Sequence, residues 1–512
     1  MSIRSLVHLQ WIAALLIGLG GPQLPAQETA PASPSTGPNI VLFMADDLGY
    51  GDIGCYGQTK IPTPNIDRLA AEGMRFTDYY AGSTVCAPSR CVLMTGYHAG
   101  HAYIRGNSRL GLRPGDPTAA EIVGKAGYIC GQFGKWGLGQ ENTPGQPTFQ
   151  GFDRFYGYLD QHHAHNYYPT FLYSDRDRVQ LRNEVPGRGL YGSGVASKKV
   201  DYSHELIFGE ALKFVEQRRN ERFFLYLPIT LPHANNEGKS AGMEVPELGE
   251  FADKDWPENE KAFAAMVARM DRDLGTLMQR LKDLKIDDKT LVLFTSDNGP
   301  HAEGGHDPQF FDSNGPFRGI KRALYEGGIR VPLIARWPGK IKPGSVSSHI
   351  GFHGDFPATA CELAGGKPVA DWDGLSLVPT FLDQPTRQRE HEYLYWEFYE
   401  GKFAQAARLG KWKGVRQGFP PGPVEVYDLA ADPGEEKNVA RDNPEIVRHM
   451  TGVFKEAHRP SEQWTPEGGK PVDPPEPPEM REPTPANAPA GNQPGATGKK
   501  PAEPEPTPAK KN

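Results

Sequence analysis

Apolar and polar positions along the chain fall into two textures. From Asn39 to about Gly366, short unbroken apolar runs alternate with longer stretches of helical spacing. Ile40-Val41-Leu42-Phe43-Met44 and Thr290 to Thr295 read as strands buried on both faces. Phe223 to Leu227 reads the same way, and a short strand is predicted through Tyr128-Ile129-Cys130. A helix opens at Thr63-Pro64, with Thr63 as N-cap and Pro64 in the first turn, and closes at Gly73. Further helices are predicted over Ala119 to Lys125, Glu260 to Leu284 and His204 to Arg218, the last presenting Leu206, Phe208, Leu212 and Val215 on one side. Strands alternating with helices predict an α/β fold, a mostly parallel sheet sandwiched by helices, over residues 39–383.

After Asp383 the texture changes. Tyr393 to Trp396, Ala404 to Arg408, Trp412 to Val415 and Val424 to Leu429 are short strand-like runs, followed by a helix from Pro444 to Ala457. A smaller C-terminal α+β subdomain with an antiparallel sheet is expected over residues 384–460. The ends differ again. Residues 1–26 have the form of an export signal: Arg4, an apolar stretch from Trp11 to Leu19, and a small-residue exit at Pro25-Ala26. That stretch is too short for a span, which needs roughly twenty apolar residues, so an exported (periplasmic or secreted) protein without membrane insertion is expected. From Pro466 to Asn512 the chain is rich in Pro, Glu, Ala, Gly and Lys and is expected to be disordered.

Charge narrows the function. With 56 Lys and Arg against 63 Asp and Glu, the 512-residue chain carries a formal charge of -7. Nucleic-acid binding as a main task needs a basic footprint, and none is present. Five cysteines rule out a disulfide scaffold, and none are spaced as a zinc pair.

Two acidic pairs stand just beyond strand ends: Asp46-Asp47 and Asp297-Asn298. In open α/β sheets that rim is where ligands bind. Three carboxylates and an amide oxygen make a hard, all-oxygen set suited to calcium or magnesium. Next, Val85-Cys86-Ala87-Pro88-Ser89-Arg90-Cys91 reads as a turn into a helix, with Cys86 at its positive end. From position alone, Cys86 is expected to be a thiolate of lowered pKa.

Cys86-X-Pro88-Ser89-Arg90 resembles the modification motif of the type I sulfatases, members of the alkaline phosphatase superfamily. Four further blocks agree in order: Asn39 to Gly51, Gly134-Lys135-Trp136, Pro232-His233, and Ser296 to Gly328. The resemblance spans about Asn39 to Ala457 and implies an alkaline phosphatase-like fold. It implies that a dedicated maturing enzyme, formylglycine-generating or of the sulfatase-maturing kind, oxidises Cys86 to formylglycine. One hydroxyl of the hydrated aldehyde attacks sulfur, and the second later expels sulfate by carbon–oxygen cleavage. By motif position, Asp46, Asp47, Cys86, Asp297 and Asn298 resemble metal ligands, with Ca2+ expected ahead of Mg2+. Arg90 resembles the group that holds the aldehyde hydrate, Lys135 and Lys321 the sulfate clamps, and His233 a sulfate contact and proton donor. One departure stands out. Many relatives carry His two residues after the clamp lysine, where this chain has Gly137.

For the substrate end, Tyr158 to Phe171 is dense in His and Tyr, and His162, His163 and His165 suit stacking and hydrogen bonding on a sugar. Arg105 and His301 are expected at the pocket mouth. A sulfated carbohydrate is the expected substrate. The alternatives are a phosphonate or phosphodiester hydrolase on the same scaffold, and a non-catalytic sulfoglycan-binding protein.

Overall fold

The computed structural model describes residues 37–187 and 192–468. The expected signal segment and all but the first residues of the Pro-rich tail lie outside them. The main sheet has ten strands, with neighbours in the order Ser345–Ser347, Met74–Phe76, Leu333–Arg336, Thr290–Ser296, Asn39–Ala45, Phe223–Pro228, Ile129–Lys135, Arg154–Tyr158, Phe171–Ser174 and Asp177–Gln180. From Thr290–Ser296 to Arg154–Tyr158 five adjacent strands run parallel, and antiparallel pairings flank them.

The continuous apolar runs are explained by cover on both faces. In the Asn39–Ala45 strand, Ile40, Leu42 and Met44 enter one core, while Val41, Phe43 and Ala45 enter the other. The first core packs against the helices Cys86–Thr95, Ala119–Lys125 and Asp355–Leu363, and the second against Pro64–Ala71, Ser203–Gln217 and Glu258–Asp283. No helix among the described residues is long and apolar enough to cross a membrane.

Two elements depart from expectation. The strand expected through Tyr128 to Cys130 runs from Ile129 to Lys135. Its second half, Gly131-Gln132-Phe133-Gly134-Lys135, has too few apolar side chains to look like a strand. Gly134 is needed there: its φ is 130°, and a Cβ would lie 2.0 Å from the Pro228 carbonyl oxygen of the adjacent strand. The Ser203–Gln217 helix buries Ile207, Phe208, Ala211, Phe214 and Val215. Leu206 and Leu212 only flank that stripe, so the apolar face is rotated from the expected one.

A four-stranded antiparallel sheet, Leu394–Phe398, Ala404–Leu409, Trp412–Gln417 and Glu425–Asp428, carries the Pro444–Glu456 helix. It is tied to the main sheet's loops by buried polar contacts. Trp396 Nε1 donates to the Ala81 carbonyl at 2.9 Å. Lys413 Nζ, fully buried, lies 2.8 Å from Glu326 Oε1 and 3.5 Å from Glu435 Oε1. Removing one partner of a buried ion pair leaves the other charge uncompensated. Lys413→Met is therefore expected to lower the unfolding free energy by about 3 kcal/mol, measured by urea denaturation. A loss below about 0.5 kcal/mol would show that the contact contributes nothing net.

Candidate active site

Four adjacent parallel strands deliver their carboxyl ends to one rim. Asp46 and Asp47 follow Asn39–Ala45, Asp297 and Asn298 follow Thr290–Ser296, Lys135 ends its own strand, and His233 follows Phe223–Pro228 by a short loop. Ala45 pairs with Ser296 and Met44 with Pro228, so the rim is level. Tyr167 Oη fixes the His233 loop by donating to the carbonyls of Thr230 (2.8 Å) and His233 (2.6 Å). Asp47 sits in the left-handed region at φ 65°, a conformation Asp tolerates better than most side chains.

The Cys86–Thr95 helix is buried along its whole length, and Cys86 opens it. Ser89 Oγ accepts from the Gly82 amide at 3.1 Å and donates to the Asp297 carbonyl, and it lies 3.1 Å from His353 Nδ1. Arg90 is fully buried, and its guanidinium donates to Asp297 Oδ2 at 3.0 and 2.8 Å and to the Lys135 carbonyl at 2.6 Å. The same group lies 3.3 Å from Asp46 Oδ2. The helix is thereby tied to three of the strand ends. Cys86 Sγ comes to 3.5 Å from Asp46 Oδ1.

Around that sulfur the charges alternate. Lys135 Nζ donates to Asp46 Oδ2 at 2.7 Å, and Lys321 Nζ donates to Asp47 Oδ2 at 2.8 Å and to Glu303 Oε2 at 3.1 Å. His233 Nδ1 donates to the Ala234 carbonyl at 2.6 Å, which leaves Nε2 facing Lys321 Nζ at 3.3 Å and Asp47 Oδ2 at 3.4 Å. Burial works to raise Asp46, yet Lys135, His233 and Arg90 hold its carboxyl well below the usual range. Burial, then Lys321, pushes His233 down to about 3. Asp297 is raised to about 7 by burial and by Asp46.

Cys86 is not the low-pKa thiolate expected from its place at a helix N-terminus. Burial, reinforced by the Asp46 carboxylate, pushes the thiol well above its ordinary value. A helix end stabilises an anion only where desolvation and neighbouring carboxylates do not oppose it. All five cysteines are unpaired.

The residues fit a hard divalent cation. Asp46, Asp47, Cys86 and His233 offer donor atoms within 4.8 Å of one another, two of them carboxylates, whereas Asp297 lies outside that group and turns its oxygens to the Asp47 amide and to Arg90. Asn298 Nδ2 donates to Asp47 Oδ1 at 2.6 Å, while Asn298 Oδ1 is buried without a partner. A buried orphan acceptor beside carboxylates is the position an oxygen-liganded cation satisfies. Charge is balanced before any cation binds: buried Asp46, Asp47 and Asp297 face buried Arg90, Lys135 and Lys321, and half-buried Glu303 also pairs with Arg322. A divalent ion would make that balanced rim positive and favour an anion beside it.

Of the residues expected to touch substrate, some reach this pocket and some do not. His165 stacks on His233, with ring centroids 5.1 Å apart and an interplanar angle of 15°, and its Nδ1 lies 3.3 Å from Glu237. His162 is half-exposed beside Asp160, and its ring is 5.6 Å from His165. His301 is fully buried behind His233; its Nδ1 accepts from the Glu303 amide at 3.0 Å, and its Nε2 donates to the Pro232 carbonyl at 3.2 Å. His163 is packed between Tyr158 and Phe171, out of reach of solvent. Arg105, expected at the mouth, is buried and donates to the carbonyls of Ala102 and Arg459 and to Glu397 Oε2, which locks the antiparallel sheet in place. Density of His and Arg in a loop does not report which way each side chain turns.

Two participants escaped the sequence reading. Glu303, a lone carboxylate between histidines, bridges Lys321 and Arg322. Gln161 lies over Gly137: a Cβ built there would stand 2.0 Å from Gln161 Nε2, an atom that is buried and without a hydrogen-bond partner.

Comparison with known proteins agrees with this geometry. The sulfatase family model matches residues 38–366, and the model for the N-sulphoglucosamine sulphohydrolase C-terminal region matches residues 317–459. Human N-acetylgalactosamine-6-sulfatase is 32% identical over 449 residues, covering 78% of this chain and 80% of its own length. The N-acetylgalactosamine-6-O-sulfatase of Bacteroides thetaiotaomicron is 30% identical over 494 residues, covering 82% and 92%. The crystal structure of Ps i-CgsB in complex with k-i-k-neocarrahexaose superposes with a TM-score of 0.70 at 25% identity, covering 85% of this chain and 95% of that one.

The Gly137 site yields a stability test. Gly137 has φ 77°, so Gly137→Ala meets both backbone strain and the Gln161 amide. It is expected to cost about 2 kcal/mol in denaturant unfolding, and Gln161→Gly on that background should recover the part due to collision. A single variant as stable as the parent would contradict the placement of Gln161.

Proposed function

The chain belongs to the sulfatase family, and we propose that it hydrolyses sulfate esters of carbohydrates with an aldehyde nucleophile made from Cys86 and a bound calcium ion. What carries the reading is the meeting of Cys86, the oxygen donors and two ammonium groups within one buried rim. The all-oxygen donor set, with its orphan Asn298 acceptor, supports Ca2+ ahead of Mg2+. The leader-like residues 1–26 support an exported protein, and the Cys86-X-Pro88-Ser89-Arg90 motif supports a maturing enzyme as partner. The relatives' printed activities support an O-sulfated N-acetylhexosamine as the first substrate class to examine.

On this reading each residue has a task that follows from its contacts. Lys135 and Lys321 exchange part of their carboxylate pairing for the sulfate oxygens and align sulfur with position 86. Preorganised cations in a water-poor site each supply roughly 3 kcal/mol to a transition state. Arg90 holds position 86 in register with the carboxylates. One hydroxyl of the aldehyde hydrate gives up its proton to a rim carboxylate and forms the bond to sulfur as the bond from sulfur to the ester oxygen breaks. The Nδ1 bond to Ala234 leaves only His233 Nε2 to protonate the departing alcohol. A bound sulfate beside that ring raises its proton affinity from the low value of the empty pocket. Loss of the proton from the second hydroxyl then re-forms the carbonyl and expels sulfate through carbon–oxygen cleavage. The cation, when bound, neutralises the carboxylates and lowers the pKa of the attacking hydroxyl.

Two outcomes check this. Cys86→Ala is expected to reduce kcat by at least about 10³-fold with an unchanged thermal midpoint; turnover at the normal rate would remove the nucleophile assignment. Chelation of divalent ions should lower the thermal midpoint, with calcium restoring it more fully than magnesium, and Asn298→Leu should abolish the restoration. Equal stability with and without chelator would contradict the cation site. Assays on defined sulfated monosaccharides beside phosphate mono- and diesters separate this reading from a phosphodiesterase or a binding protein.

A further inference from the structure

A chain of polar contacts leads from the residue after Cys86 to the clamp lysine, and its outer members are not used by the chemistry above. Starting at the helix, the Ala87 amide donates to Asn107 Oδ1 at 3.0 Å, and the Asn107 amide reaches Glu400 Oε1 at 3.4 Å. Glu400 Oε2 lies 3.5 Å from Arg322 Nε, Arg322 pairs with Glu303, and Glu303 returns to Lys321 at 3.1 Å. Arg322 directly follows the clamp lysine, and its backbone amide donates to the Thr84 carbonyl at 3.0 Å, two residues before Cys86. Glu400 comes from the other side, on the turn between Leu394–Phe398 and Ala404–Leu409.

Two features separate this pair from ordinary scaffolding. Arg322 holds φ 74°, a left-handed conformation that disfavours any side chain but that glycine would adopt without strain. Its side chain is nevertheless 45% exposed, so burial does not demand an arginine there. The Glu400 carboxylate is only 18% exposed, yet both its contacts among the described residues exceed the 2.7–2.9 Å or so of a charge-assisted hydrogen bond. An under-bonded carboxylate and a half-exposed arginine thus stand one contact from the clamp lysine and from the backbone on either side of Cys86.

We infer that Arg322 and Glu400 form the subsite for the alcohol part of the substrate and recognise sugar hydroxyls there, Glu400 accepting and Arg322 donating. Adjacent ring hydroxyls present donor and acceptor together and match such a pair, whereas an aromatic alcohol offers nothing to it. The inference rests on the sulfatase reading and names which ester that site prefers.

The test compares kcat/KM for the sulfated monosaccharide the protein turns over fastest with kcat/KM for 4-nitrophenyl sulfate. Arg322→Gly and Glu400→Ala should each lower the ratio of sugar ester to aryl ester at least about tenfold, chiefly through KM for the sugar. The thermal midpoint of Arg322→Gly should hold or rise, because glycine accepts the backbone conformation. A ratio within about threefold of the parent, or equal losses on both esters, would overturn the assignment while leaving the sulfatase reading intact. A parent protein carrying the aldehyde at position 86 and cleaving neither ester would remove the sulfatase reading and this subsite with it.

Discussion

The buried guanidinium of Arg90 is the interaction on which the rest of the site depends. A charge removed from water is tolerated only when paired and hydrogen-bonded, and Arg90 finds every partner at a strand end: Asp297, Asp46 and the Lys135 carbonyl. Its own helix begins at Cys86, one turn earlier. Satisfying one arginine therefore fixes position 86 against three strands, which no apolar contact would do with the same directionality. The helix is buried throughout, so the whole element moves with that anchor.

Electrostatic balance follows from the same packing. The rim matches its carboxylates with ammonium and guanidinium groups, and burial keeps solvent from screening them. Burial, and then the neighbouring Asp46 carboxylate, raise the pKa of Asp297. A divalent cation added to this balanced set calls for an anion beside it, so the pocket suits the pair. The antiparallel sheet contributes at the outer edge, through Lys413 paired with Glu326 and through Glu400 on the turn between its first two strands.

Much of this was legible in the sequence, for identifiable reasons. Asp46-Asp47 and Asp297-Asn298 stand out because polar residues abruptly end runs that are buried on both faces. Lys135 was legible as a motif residue, but its position at a strand terminus was not, since Gly131 and Gly134 erase the apolar pattern of that strand. Thiol acidity at Cys86 was misjudged because a helix end is a local feature while burial and carboxylate neighbours are tertiary. Arg105 and His163 fail as pocket residues for a related reason: composition marks a loop as polar without saying which side chains turn inward. Glu303 and Glu400 could not be found at all, because their significance arises only from contacts with Lys321 and Arg322.

The central claim is that the working group at position 86 is an oxidised side chain held by this rim. Mass spectrometry of the peptide containing Cys86, across preparations matured to different extents, addresses it directly. The account predicts that turnover of a sulfate ester rises in proportion to the fraction carrying an aldehyde in place of the thiol. Full turnover from a preparation in which that cysteine is wholly a thiol would contradict it.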